Sequence, residues 1–256
     1  MWLTEQFRQT RMGLGRSLAF FGIPGALMVF GVRVLVPYTM ERGWPLIVSF
    51  PLFLWAPVIA LCLLVVGGFY ATRTREQTFA ERFRFRRISG RTWLWIVGGF
   101  FVVQVFELLF SPTRLLLSEF FLFSPPVHTP ELFHPALRIE DGLSHLFGQP
   151  MEGQWWLILF WMGWLVINIG GEEILWRGYA LPLQERAFGK HAWLVNGIVW
   201  NLMVHAFMPW AFLSLLPISL ILPYLAQRQQ NTWVGVIIHG VGNLLFLGLI
   251  IAGIAG

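Results

Sequence analysis

Residues 45–71 read PLIVSFPLFLWAPVIALCLLVVGGFYA, a run without a single Asp, Glu, Lys, Arg or His. About 20 apolar residues are enough to cross the hydrocarbon core of a bilayer. The rest of the chain has the same character: 56% of its 256 residues are hydrophobic and only 12% are charged, against about 25% charged in an ordinary soluble domain. That composition excludes a soluble globular fold, a disordered tail and a disulfide scaffold. The lone cysteine, Cys62, has no intrachain partner and is read as a small apolar residue of a membrane helix.

Working outward from that run, other stretches of similar length appear. The first, residues 17–38, is interrupted only by Arg33 and preceded by Arg8, Arg11 and Arg16. It is too long for a signal-peptide core and is read as a retained anchor. Residues 92–110 form a third span that carries Gln104 and Glu107. From Ser111 to Gly153, prolines and acidic residues dominate, which reads as a long outer loop with interfacial pieces. A fourth helix starts near Gln154 and ends at the turn around Gly189. Residues 192–227 then supply two spans separated at Pro209, and a last one runs from Asn231 to the end. The expectation is an all-α polytopic transmembrane helical bundle of about seven spans, a single domain over 1–256 with its motif-bearing core at about 154–256.

The net charge of +5, from 18 Lys+Arg against 13 Asp+Glu, resembles that of a nucleic-acid binder until the charges are located. They gather at the chain start and between Arg73 and Arg91, separated by long uncharged runs, as the excess of Lys and Arg in cytoplasmic loops requires. The arginine run is therefore a topology signal with affinity for anionic lipid, the N-terminus is expected in the cytoplasm and the acidic 111–153 segment outside. The partner is the lipid bilayer; no nucleic acid is expected.

Ionisable groups inside a span are costly and point to function. Glu172, Glu173, His205, His239 and Asn243 stand out. Glu173 and Arg177 are spaced i,i+4 with the acid first, so they can pair, which leaves Glu172 without a local partner. His239 and Asn243 share a face by the same spacing. In an antiparallel hairpin with its tip near Gly189, Glu172 and His205 both lie about 25 Å from the tip, and His239 can join them in the cytoplasmic half of the membrane. A carboxylate beside an imidazole in a poorly solvated pocket can take a proton from water near neutral pH. Attack of that water on an amide carbonyl creates an oxyanion, which a second His and an Asn can stabilise. Glu172, His205 and His239 are also the residue types that would hold Zn²⁺ with water as fourth ligand; spacing alone leaves both chemistries open, the first needing no cofactor.

The stretch Glu172-Glu173-Ile174-Leu175-Trp176-Arg177, then His205, then His239-Gly240-Val241-Gly242-Asn243, resembles the CPBP intramembrane proteases, the group that contains type II CAAX prenyl endopeptidases and bacteriocin-processing or bacteriocin-immunity proteins. The resemblance begins near Gly170 and places three motifs in order on successive membrane helices. It implies a glutamate-dependent intramembrane endopeptidase acting near the cytoplasmic side of a membrane, in which Glu172 activates water with His205 while His239 and Asn243 stabilise the oxyanion. It also implies a protein or peptide substrate, membrane-anchored or prenylated, and with the compact chain it suggests a bacterial inner membrane. Glu173 and Arg177 match the second acid and the arginine of the first motif, for which a structural pairing is expected. One position departs: the family has Phe four residues before the histidine of its second motif, and here Asn201 stands there, beside Trp200. Asn201 is expected to share a face with His205 and to hydrogen-bond its ring.

Other polar residues have plainer readings. Gln104 and Glu107 bridge helices or line the cavity and are set apart from the catalytic residues; Arg33 snorkels to the interface; His128, His134 and His145 are solvated in the outer loop. The fourteen tryptophans form interfacial belts and lipid-facing packing. Two functions of other classes use the same residues: an ion-coupled transporter with Glu172, His205 and His239 as a relay, although no inverted repeat is visible, and an inactive scaffold or immunity protein.

Overall fold

The computed structural model describes residues 11–256; Arg8, one of the basic residues expected before the first span, lies outside the described residues. Among those described, six helices are long and apolar enough to cross a membrane: α1 (Leu14–Met40), α2 (Leu46–Thr72), α3 (Gly90–Phe110), α4 (Trp156–Phe207), α5 (Pro209–Gln229) and α6 (Trp233–Ala255). The chain is a multi-pass integral membrane protein. Large apolar side chains such as Leu63, Leu94, Leu108, Leu159 and Val166 face outward, as lipid requires, while one contiguous apolar core runs through the bundle from Met12 to Ile254.

Six spans replace the seven expected. The difference lies in α4, which holds both the fourth and the fifth of the expected spans in one helical stretch. Gly189 (φ +56°, ψ −129°) leaves helical geometry and bends the stretch, and a single 3₁₀ turn, Gly189–His191, joins the two arms. The second arm, residues 192–207, falls short of the about 20 residues a span needs. Much of it is buried, packed against α1 and α5. At Gly25 of α1 an added Cβ would collide with the Met203 carbonyl, so the absence of a side chain there lets the two backbones touch. Along α4 the turns widen to π-helix at Val166–Gly170, Glu173–Ala180 and Trp200–Val204. Such wide turns gather at functional sites, and here they flank Glu172 and His205.

The two ends of the bundle are built differently. At one end the arginine-rich segment is tied down: Arg84 donates to both carboxylate oxygens of Glu185 at 2.6 and 2.9 Å, Asn231 exchanges hydrogen bonds with the backbone of Arg86, and Thr232 donates to the Phe83 carbonyl at 2.6 Å. Thr78 and Glu81 cap the short helix Phe79–Arg82 reciprocally. At the other end residues 111–155 form an ordered cover in place of a loose loop. His145–Leu146 pairs antiparallel with Gln149–Pro150 across a turn with Phe147 and Gly148 both at positive φ. Phe147 is fully buried against Phe50, Phe133, Phe160 and Trp164, and this aromatic cluster holds a conformation that a bulky residue resists. Trp210 donates to the Phe133 carbonyl at 3.2 Å and Gly153 to that of Ile254 at 2.9 Å, fastening the cover to α5 and α6. The expected solvation holds for His134 and His145, which are exposed, while His128 is half-buried.

Arg84→Ala removes the bidentate pair that anchors the arginine-rich segment. Hydrogen bonds to a charged group contribute about 1.5–3 kcal/mol each, so limited trypsin digestion in detergent should cut between Arg73 and Arg91 at least several-fold faster than in the wild type, with little change elsewhere.

Candidate active site

Two adjacent carboxylates, Glu172 and Glu173, are buried in the middle of α4, 2% and 0% exposed. A charge at this depth needs a partner, and the two find different ones. Glu173 Oε1 lies 3.2 Å from Arg177 Nη1 and 3.1 Å from His239 Nδ1, so it binds the arginine of its own helix and ties α4 to α6. The Arg177 contact is an ion pair without hydrogen-bond alignment; the guanidinium lies over the Trp200 ring, its central carbon 3.8 Å from the centroid, where the ring's electron-rich face takes up part of the charge. Glu173 Oε2 rests over Gly235, where any Cβ would overlap it. Glu172 Oε2 instead accepts a hydrogen bond from Trp200 Nε1 at 2.8 Å.

Trp200 thus joins the elements of the site. Its ring carries Arg177 on one face, its N–H holds Glu172, and it makes T-shaped contacts with the rings of His205 (centroids 4.8 Å apart) and His239 (5.8 Å). His205 sits where the wide turn of α4 ends and the helix tightens before Pro209. Its Nδ1 is buried and makes no well-formed hydrogen bond, although the Trp200 backbone lies close. His239 has Nδ1 engaged by Glu173, which leaves its other nitrogen for the cavity. Asn243 donates through Nδ2 to the His239 carbonyl at 3.0 Å, and an amide nitrogen has a second hydrogen to offer.

Glu172, His205, His239 and Asn243 line one cavity of about 150 Å³. Glu173, Arg177 and Asn201 do not. Asn201 corrects an expectation: its Nδ2 donates to the Phe212 carbonyl at 3.0 Å, and no hydrogen bond joins it to His205. The expectation assumed 3.6 residues per turn, and the π-helical stretch Trp200–Val204 turns more slowly, so positions four apart no longer stack. Asn201 therefore braces the join between α4 and α5.

The cavity also takes in Gln104, Glu107, Arg114 and Asn168, none of which was placed in the catalytic set from sequence. Asn168 lies one turn before Glu172, and as a polar residue within an apolar span it carried a signal that could have found it. Arg114 carries no such signal, because it comes from the cover and reaches the cavity only through the tertiary fold. Its Nε donates to the buried Ser214 Oγ at 2.7 Å. Burial pulls the Arg114 guanidinium below its ordinary range, and the charge of Glu107 opposes this. From Glu172 the lining runs towards the cover, through Leu132, Phe133 and Trp210, and the arginine-rich end contributes none of it. Among the described residues no three His, Cys, Asp or Glu side chains are grouped as a metal site: Glu172 is held by Trp200 and His239 by Glu173.

Comparison with known families bears on this arrangement directly. Residues 154–245 match the family model described as type II CAAX prenyl endopeptidase Rce1-like. The match covers 92 of the 256 residues, so the likeness is one of this segment and not of the whole chain. The match spans α4, α5 and most of α6, hence both carboxylates, both histidines and Asn243. The matched family is described as one of prenyl endopeptidases, and the likeness is confined to this segment. No curated protein and no solved structure matches the chain.

Two glycines of the same Rce1-like segment and its extension separate close packing from helix propensity. Gly235→Ala drives a methyl into Glu173 Oε2, whereas Gly248, also on α6, has open space beside it. Thermal unfolding in detergent should show Gly235→Ala destabilised by about 1–3 kcal/mol and Gly248→Ala unchanged or stabilised by about 0.5–1 kcal/mol.

Proposed function

We propose that the protein is a glutamate-dependent intramembrane endopeptidase in which Glu172 is the general base. The observation that carries this reading is the different fate of the two buried carboxylates. Glu173 is spent on Arg177 and His239, while Glu172 faces the cavity with a single neutral donor, Trp200. A carboxylate so held can take a proton from water, and the water oxygen then attacks the substrate carbonyl. His239, with Nδ1 on the Glu173 carboxylate, presents its second nitrogen as a donor when the ring is protonated, much as a carboxylate behind a histidine fixes its tautomer elsewhere. That nitrogen and the remaining hydrogen of Asn243 Nδ2 would stabilise the oxyanion. His205, edge-on to Trp200 at the cavity wall, completes the activation of the water. On collapse of the tetrahedral intermediate the proton passes from Glu172 to the leaving amine. Asn201 keeps α4 and α5 in register and takes no part in the reaction.

A cavity of about 150 Å³ is smaller than the 300–1,000 Å³ of typical ligand sites. It holds waters and a small group, and a peptide enters only when its walls part. The lining extends towards the cover, so substrate approaches from the side of residues 111–155. With the arginine-rich end read as cytoplasmic by its charge, the N-terminus lies inside and the access route leads away from the cytoplasm, whereas depth along the helices alone predicts a site near the cytoplasmic side. The substrate is a membrane-anchored or prenylated peptide or protein, and the compact single domain is suited to a bacterial inner membrane.

The test is cleavage of co-reconstituted prenylated peptides in liposomes, read by mass spectrometry, by wild type and Glu172→Ala. Removing a general base should cost at least about 10²–10⁴-fold, and products should persist with a chelator present. Loss on chelation with recovery on adding Zn²⁺ would replace the general base by a zinc site on Glu172, His205 and His239. Solute flux dependent on Glu172, with no cleavage, would favour a transporter, and peptide binding that survives Glu172→Ala, again with no cleavage, a scaffold.

A further inference from the structure

Arg114 is a cation with donors to spare on the wall of the cavity. It lies in the short helix Thr113–Ser118 just after α3, and its side chain reaches inward far enough that only its Nε is taken, by Ser214 Oγ at 2.7 Å. Ser214 is itself fully buried and donates to the Ala211 carbonyl at 3.0 Å, at the break between α4 and α5. The first turn of α5 therefore fixes the guanidinium plane. No hydrogen bond occupies the two terminal nitrogens of Arg114 among the described residues. Glu107 lines the same cavity, close enough to feel the charge of Arg114, yet the two form no ion pair within 4 Å, and among the described residues the Glu107 carboxylate has no hydrogen-bond partner. This differs from a bridge between helices, in which both groups would be satisfied.

A planar guanidinium with one edge held and the terminal donors open suits a planar anion with two oxygens. In a poorly solvated cavity that attraction is stronger than in water. Glu107 offsets part of the cost of burying the Arg114 charge, while the terminal donors stay open to an entering carboxylate. Gln104 stands beside Gly242 on the same side and offers an amide to the peptide backbone.

We propose that Arg114, oriented by Ser214, anchors a carboxylate of the peptide substrate, its C-terminal group or an acidic side chain, and so sets which bond reaches Glu172. Arg114 is a positioning residue for specificity, and its place on the cover makes substrate capture and the approach from that side one event. The inference rests on the protease reading for its last step, the choice of bond, and not for the binding itself.

The experiment uses the full-length protein in nanodiscs and three prenylated CAAX peptides: one with a free C-terminal carboxylate, its C-terminal amide, and the amide with Glu at the last position. Binding is measured with the Glu172→Gln variant through quenching of cavity tryptophans, and cleavage with the otherwise wild-type chain. The expected result is at least about 10-fold weaker binding, and a KM raised more than kcat is lowered, for the amide relative to the free carboxylate. The Glu-bearing amide shows whether a side-chain carboxylate serves as well. Arg114→Ala should erase the preference, Arg114→Lys should restore part of it, and Ser214→Ala should weaken it while retaining the cation. Equal melting temperatures of these variants guard against misfolding. Carboxylate-selective binding without any cleavage would sustain the anchor and overturn the protease reading. A preference for the carboxylate that survives Arg114→Ala, or its absence in the wild type, overturns the anchor.

Discussion

A pair of neighbouring carboxylates buried in a membrane helix is the constraint around which the rest of this protein is arranged. Two bare anions at this depth would cost several kcal/mol each, so each has to be compensated, and the chain compensates them unequally. Glu173 receives a cation from the next turn of its own helix and an imidazole from α6. Glu172 receives a single indole N–H. The stronger set of contacts fixes the bundle and the weaker one leaves a carboxylate at the cavity wall. The requirement propagates outward: Trp200 must present its ring face to Arg177, Gly235 must be bare where Glu173 crosses it, and the second arm of α4 must fold back against α1 so that Trp200 arrives at all.

That last requirement is met by the bend at Gly189. His205 comes about as far after Gly189 as Glu172 comes before it, so the two lie level, and the wide turns on both sides of the site set the direction of the side chains. The cover formed by residues 111–155 then closes the cavity from one end and supplies Arg114 to it.

Much of this was legible in the sequence. Charge-free runs such as 45–71 gave the membrane helices, because lipid leaves no other way to satisfy a long apolar segment, and the i,i+4 spacing of Glu173 and Arg177 made plain that they could meet. Three features were not legible, each for a physical reason. The span count depended on whether Gly189 separates two helices or bends one, which composition does not encode. The partner of Asn201 depended on a π-helical turn, which alters which positions stack without leaving a mark in residue type. Trp200 and Arg114 read as an interfacial tryptophan and a loop arginine, and only the tertiary fold brings them to Glu172 and to the cavity.

The most direct measurement is a paired one: melting temperature in detergent and peptide cleavage in liposomes, for Glu172→Gln and Glu173→Gln side by side. If Glu172 is the reactive carboxylate and Glu173 the structural one, Glu172→Gln keeps the melting temperature and loses cleavage, while Glu173→Gln lowers the melting temperature because Arg177 is left as an uncompensated buried charge. Cleavage retained by Glu172→Gln, or a stability loss confined to that variant, would contradict the account.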